Sequence, residues 1–356
     1  MGYTAILENS IMQKGKPATA GSKMLEGFIS PISATVAERL ETASVDIIGR
    51  SDMDEFGLNG LFGGGMAIKL SQAKSGLENN PAASDVVCAI DCVASSKVDF
   101  ALCNDYTGAV SQAVGEFNLC YIHPTYGTVS RYGLIPAVTS IDQIGVICKN
   151  PDVGFDILRI ISGYDSKDGV MKDGQGQIKH RNRPHVPVSI AEYDSKYSGI
   201  CKQVMQILCC AELSNNISRY DGIKYGYRSK EYNGLRELYS KSRTEAFGED
   251  VKLAAVLGAM VLSQENYERY YDKAMRLRRM IKDSLDFADY DVIVTKCHML
   301  SRLCGLPSLS TPEHVYIADT GREDVLESVL LDNKFEKITD MGDIGTDENA
   351  TEGGGL

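Results

Sequence analysis

Cysteine, histidine, serine and lysine are the side chains of this chain that could carry covalent or proton-transfer chemistry. The ten cysteines are Cys88, Cys92, Cys103, Cys120, Cys148, Cys201, Cys209, Cys210, Cys297 and Cys304. No two form a C-x-x-C pair, so neither a zinc knuckle nor a thioredoxin-type dithiol is expected, and no metal or cofactor is implied. Cys209 and Cys210 are neighbours in an apolar helical stretch, and most of the set reads as small buried hydrophobes. Cys88, Cys92 and Cys103 would serve as nucleophiles only beside a group that lowers the thiol pKa. The one histidine near them in sequence is His123. Cys297 and His298 are adjacent, but a histidine in such a pair is more often a core or surface side chain than a ligand. Ser95, Ser96 and Lys97 bring two hydroxyls and an amine together and read as a polar turn. Gly63-Gly64-Gly65 lacks the Lys-Ser or Lys-Thr that would complete a P-loop.

The elements that must position these groups alternate between helix and strand. Tyr3 to Ile6 reads as a strand, Thr35 to Ala43 as a helix with Val36, Leu40 and Ala43 on one face, and Val45 to Ile48 as a buried strand. Val86 to Val93 reads as a helix, Phe100 to Leu102 as a strand, Tyr197 to Ile217 as an amphipathic helix and Asp291 to Thr295 as a buried strand. From Gly248 the chain is strongly helical. Its Tyr267, Tyr270, Tyr271, Met275 and Met280 recur at helical spacing, which predicts a core face. Residues 57–85 and 164–190 are polar and Gly-rich, and the second stretch reads as a long exposed loop. This alternation predicts α/β packing.

Composition bounds the function. Lys plus Arg is 37 against 48 for Asp plus Glu, a net charge of −11, and 43% of residues are hydrophobic. That acidity argues against a broad nucleic-acid surface. Lys273, Arg276, Arg278, Arg279 and Lys282 form the one basic cluster, read as a solvated helix face. No run approaches the ~18 apolar residues of a membrane span. Met1-Gly2-Tyr3-Thr4-Ala5 has no signal-peptide pattern, so a reducing, cytoplasmic setting is expected.

Several collinear segments then become specific. Residues 20–57 read AGSKMLEGFISPISATVAERLETASVDIIGRSDMDEFG, residues 124–149 PTYGTVSRYGLIPAVTSIDQIGVICK, residues 214–228 SNNISRYDGIKYGYR and residues 242–252 SRTEAFGEDVK. Each resembles the amidase signature family, and within it the A subunits of tRNA-dependent amidotransferases. The resemblance implies a mixed, mostly parallel sheet covered by helices on both faces, shortened at both ends. It implies one amidase-like domain over residues 1–339, and the Asp, Glu, Gly and Thr of residues 340–356, with few apolar side chains, predict a disordered acidic tail. It also implies amide hydrolysis by a serine, a second serine on a cis peptide, and a neutral lysine. In that family the A subunit frees ammonia from glutamine for a partner that amidates mischarged tRNA.

Carried over by position, the family's lysine falls on Leu7 and its nucleophilic serine on Ala109. The cis serine falls on Asp85, or on Ser84 after a one-residue slip. The substrate-binding tyrosine falls on Met205 and the arginine on Ala254. Leu7, Ala109, Met205 and Ala254 do not repeat the family's chemistry, nor does Asp85 in the ungapped register, and loss of a triad member costs orders of magnitude in rate. The expectation is therefore a catalytically inactive amidase-fold protein, a binding or regulatory paralogue with no catalytic, substrate or metal residues of its own. Its candidate partners are the amidotransferase B and C subunits or a second copy of the chain, with no direct nucleic-acid contact and no membrane. The alternative is an active amidotransferase component that hydrolyses glutamine by relocated chemistry.

Overall fold

Alternation along the first strand sets the layering. Ala5 and Leu7 turn to one side of the sheet and Ile6 to the other, and all three are buried. The computed structural model describes residues 2–58, 60–62, 89–173, 176, 178, 188–193, 197–329 and 339–340. Ten strands run through these residues: β1 Thr4–Glu8, β2 Asp46–Ser51, β3 Phe100–Asn104, β4 Cys120–His123, β5 Ile144–Cys148, β6 Ile190–Glu192, β7 Val292–Thr295, β8 Ser308–Ser310, β9 Val315–Ala318 and β10 Thr339–Asp340. They form one mixed sheet in the order β10-β6-β7-β9-β8-β4-β5-β3-β1-β2. Pairing is parallel at the flanks (β1 with β2 and β3, β6 with β7 and β10). It is antiparallel through the middle, where β3, β5, β4, β8, β9 and β7 follow one another.

Helices cover both faces. On the side of Leu7, Phe100, Leu102, Val146 and Val292 lie α1 Thr35–Thr42, α4 Pro151–Ile161 and α10 Glu323–Val329. Asn150 caps α4 through the Asp152 N–H at 2.9 Å, and Pro151 starts it without wasting a donor. On the other side, α2 Ala89–Ala94 and α3 Ala109–Glu116 pack on Ile6, Ala101 and Cys103. Beyond them α5 Cys201–Asn216, α7 Glu249–Val261, α8 Lys273–Asp283 and α9 His298–Cys304 enclose the largest apolar cluster. The remaining helix, α6 Gly234–Ala246, lies nearer the surface, and a π-helical turn, Tyr267–Asp272, leads into α8.

Several sequence expectations change here. The strand expected to be buried around Val45 is the edge strand β2. Ile48 is 54% exposed, because no described strand pairs beyond it. Tyr267, Met275 and Met280 are exposed rather than core, since α8 rests on the body mainly through Ala274 and Ile281. The basic cluster is only partly a solvated face. Arg276 and Arg279 pair with Asp272 and Asp283, whereas Arg278 reaches inward to the Leu303 carbonyl at 2.6 Å and Ser140 Oγ at 3.1 Å. The start of the 164–190 stretch is anchored, not loose. Asp165 is buried and accepts from Thr35 Oγ1 at 2.5 Å and Ser130 Oγ at 2.6 Å, and Asp168 pairs with Arg131 at 2.8 Å. Of the tail over 340–356, only Asp340 is among the described residues.

Candidate active site

The turn between β3 and α3 is the pivot of the site. Asp105 follows β3, is buried, and accepts the first free N–H groups of α3, from Val110 at 3.0 Å and Ser111 at 2.9 Å. Asp105 also meets Arg302 of α9 in an ion pair of 3.0 Å with both side chains essentially inaccessible. A buried guanidinium is tolerable only if its other donors are used. Arg302 spends them on the Asp105 carbonyl at 3.2 Å, the His298 carbonyl at 3.1 Å and Ser301 Oγ at 2.8 Å. This network fastens the start of α9 against the start of α3. Gly108 permits the approach: its φ is +80°, and a Cβ there would lie 2.8 Å from the His298 carbonyl oxygen.

Between these two helix starts and the first turn of α5 lies a cavity of about 180 Å³. Gly108 and Ala109 form one wall, Cys297 and His298 a second, and Cys201 and Lys202 a third. His298 Nδ1 stands 3.0 Å from Ser111 Oγ, which is 3.1 Å from the Gly108 carbonyl. If the hydroxyl donates to that carbonyl, it accepts from His298, placing the imidazole proton on Nδ1 and leaving Nε2 as an acceptor. Burial and the nearby Arg302 charge hold His298 down to about 4, so it is neutral at physiological pH.

The two cysteines of the cavity, Cys201 and Cys297, are free, and Cys201 Sγ donates to the Tyr197 carbonyl at 3.4 Å. The neighbouring Cys201 lowers the Cys297 thiol, against the opposing effect of burial, with help from the Met299 and Leu300 N–H groups and Arg302. Cys297 and burial in turn raise Cys201. Cys297 is partly exposed to solvent. The site therefore sets two cysteine side chains from separate helices in the walls of one cavity.

Of the positions singled out by family resemblance, the structure brings only Ala109 to this cavity. Leu7 is buried in the apolar layer under α1 and α4. Met205, one turn along α5 from Cys201, and Ala254 on α7 are fully buried in the large cluster. Asp85 and Ser84 lie outside the described residues, as does Cys88. Cys92 and Cys103 pack in the layer with α2 and α3, and burial raises Cys103. His123 is buried on β4, and burial lowers it, so Cys103 and His123 form no activated thiolate pair. Cys201, Ser111 and Lys202 carried no sequence signal for this site. Cys297 and His298 did stand out as neighbours, but nothing in the linear pattern showed a cavity in front of them. Among the described residues no cluster of His, Cys, Asp and Glu has metal-binding geometry, and no helix is long and apolar enough to cross a membrane.

The chain matches the family model described as Amidase over residues 4–197 and 183–301. It is 34% identical to the A subunit of the glutamyl-tRNA(Gln) amidotransferase of Agathobacter rectalis, a match covering 89% of this chain and 70% of that relative. Its fold is similar to the crystal structure of the corresponding Thermotoga maritima subunit, with TM-score 0.65 and 21% identity over 91% of this chain and 81% of that one. It is also similar to the peptide amidase of Stenotrophomonas maltophilia, with TM-score 0.70 and 18% identity over 92% and 80% of the two chains. Further relatives of the amidotransferase type match at 32–34% identity. These matches correct the expectation of a catalytically inactive paralogue, which rested on Leu7, Asp85, Ala109, Met205 and Ala254. They favour the alternative of an active amidotransferase component.

Proposed function

The chain belongs to the amidase family, and from that premise we propose that it is the active glutamine-hydrolysing component, the A subunit, of a tRNA-dependent amidotransferase. It cleaves the side-chain carboxamide of glutamine and passes the ammonia to B and C subunits. The observation that carries this reading is the 34% identity to the Agathobacter rectalis relative over 89% of the chain. The cavity at the start of α3, lined by Cys201, Cys297 and His298, supplies groups for amide cleavage. In this reading Leu7, Ala109 and Asp85 hold the family's triad positions and Met205 and Ala254 its substrate positions. The chemistry has moved to the walls of the cavity that face Ala109. Residues 1–339 act as one amidase-like domain. The nine described cysteines are all free thiols, which fits work in the cytoplasm.

The test is ammonia release from glutamine by the purified chain, alone and mixed with B and C subunits. Release above a heat-inactivated control, increased by the partners, is expected. No release in either preparation, with the chain folded by circular dichroism, would sink the reading.

A further inference from the structure

We propose that Cys201 and Cys297 form a redox modification site: hydrogen peroxide entering the cavity at the start of α3 joins them in a reversible disulfide that closes it. The inference goes beyond the function proposed above and does not depend on it. Both side chains line that one cavity of about 180 Å³, and both are free. Cys201 opens α5 and Cys297 immediately precedes α9, two helices in contact, and Cys297 packs against the apolar cluster that contains Cys201. The side chains are near enough that each perturbs the other's ionisation. A disulfide asks for Cα atoms about 4.4–6.8 Å apart, a span that suits two walls of so small a cavity. The turn before Cys201 has room to yield as the sulfurs close, since a methyl group added at Gly199 would meet nothing within 4 Å. Cys304 is a poorer partner for Cys297. It lies at the far end of α9, about 10 Å away along the helix, and it is buried and outside the cavity lining.

Exposure sets the order of the steps. Cys297 is partly open to solvent, whereas Cys201 is 2% exposed, so peroxide meets Cys297 first. The Cys297 sulfur attacks one peroxide oxygen and an S–O bond forms. The O–O bond breaks, and the departing oxygen takes the thiol proton and leaves as water. Cys297 is then a sulfenic acid, the species that condenses with a nearby thiol. The Cys201 sulfur attacks it, an S–S bond forms and the S–O bond breaks. The oxygen leaves as a second water with the Cys201 proton, which in the resting site is donated to the Tyr197 carbonyl. Two thiols and one peroxide thus become one disulfide and two waters. The sulfurs together lose two electrons, and the peroxide oxygens gain them. A dithiol reductant reverses the change by exchange through a mixed disulfide. The bond draws the two walls together across the space in front of Ala109, so the same oxidation that protects Cys297 from further damage shuts the cavity.

The experiment treats the reduced full chain with hydrogen peroxide, blocks the remaining thiols with N-ethylmaleimide and digests with trypsin for mass spectrometry. Cleavage after Lys196, Lys202, Lys296 and Arg302 puts Cys201, Cys297 and Cys304 on three different peptides. The expected product is the peptide of Cys201 linked to that of Cys297, about 2 Da lighter than the two thiol peptides together, and lost when dithiothreitol is added before blocking. Cys201→Ser removes the second sulfur. Its Cys297 should proceed to the sulfinic acid, which dithiothreitol does not reverse, whereas wild-type Cys297 should not. The linked peptide is read from wild type, so this result needs no variant to fold. Cys297 linked to Cys304 or to a second chain overturns the inference. So does wild-type Cys297 that becomes sulfinic acid as readily as in Cys201→Ser, or that stays open to N-ethylmaleimide while other cysteines oxidise. None of these outcomes bears on ammonia release, so the proposed function stands or falls separately.

Discussion

Glu8 shows how much a single position can hide. It ends β1 in full burial, beside the Asn104 N–H at 3.1 Å and Ser10 Oγ at 2.5 Å, and no cation pairs with its carboxylate among the described salt bridges. Burial outweighs both hydrogen bonds and lifts its pKa from 4.5 to about 7. Between those two values the folded chain holds a proton that the unfolded chain releases, so stability falls as pH rises and levels off above about 7. Glu8→Gln removes that dependence. Thermal unfolding from about pH 4.5 to 8 should show a flatter profile for the variant, and a gain of roughly 3 kcal/mol over wild type at about pH 8. Parallel profiles for the two chains would show that Glu8 does not titrate in this window. The sequence resemblance at Ala5-Ile6-Leu7-Glu8 was legible and drew attention to Leu7. The burial of Glu8 was not, because it depends on β3 and the Asp142 turn closing over it from elsewhere in the chain. The same reason conceals the Cys201–Cys297 pair: spacing reports neighbours along the chain, and this pair is made by α5 meeting α9.

Elements were more legible than their partners. Short apolar runs correctly mark β1, β3 and β7, and a continuous helical period marks α5 and α7. What periodicity does not report is how much of an apolar stripe finds a neighbour, which is why Met275 and Met280 on α8 remain exposed. The contact between α3 and α9 is likewise set by residues with no periodic signature: Gly108, Asp105 and Arg302. Two variants probe it. Gly108→Ala places a methyl group 2.8 Å from the His298 carbonyl oxygen at a φ of +80°, so both strain and collision oppose it. It should lower stability by about 2 kcal/mol in urea unfolding and slow alkylation of Cys297 by iodoacetamide. A variant as stable as wild type would mean the two helix starts separate freely. Arg302→Met leaves the Asp105 carboxylate buried without its cation and should cost about 3–5 kcal/mol. Adding Asp105→Asn to that variant should cost less than the sum of the two single changes, because the stranded charge is then gone. Additive costs would instead show that the pair contributes no coupling between α3 and α9.

The whole molecule carries a net charge of −11, and several of its arginines are committed to internal partners. Arg131, Arg159 and Arg302 are tied to carboxylates, and Arg278 is turned inward to Leu303 and Ser140. An acidic chain of this kind is a poor general binder of phosphates, which fits a tRNA-directed reaction in which a partner holds the nucleic acid. The proposed function divides the labour in the same way, with ammonia made by this chain and the nucleic acid held by the partner subunits. Size-exclusion chromatography with light scattering should show the chain eluting with B and C subunits as one complex. The chain alone should not shift with tRNA even at low salt, where electrostatic binding is strongest. Separate elution of the chain from B and C would contradict the assignment of partners. A tRNA shift by the chain alone that weakens steeply with salt would contradict the charge argument, because it would require a cluster of free cations facing one groove.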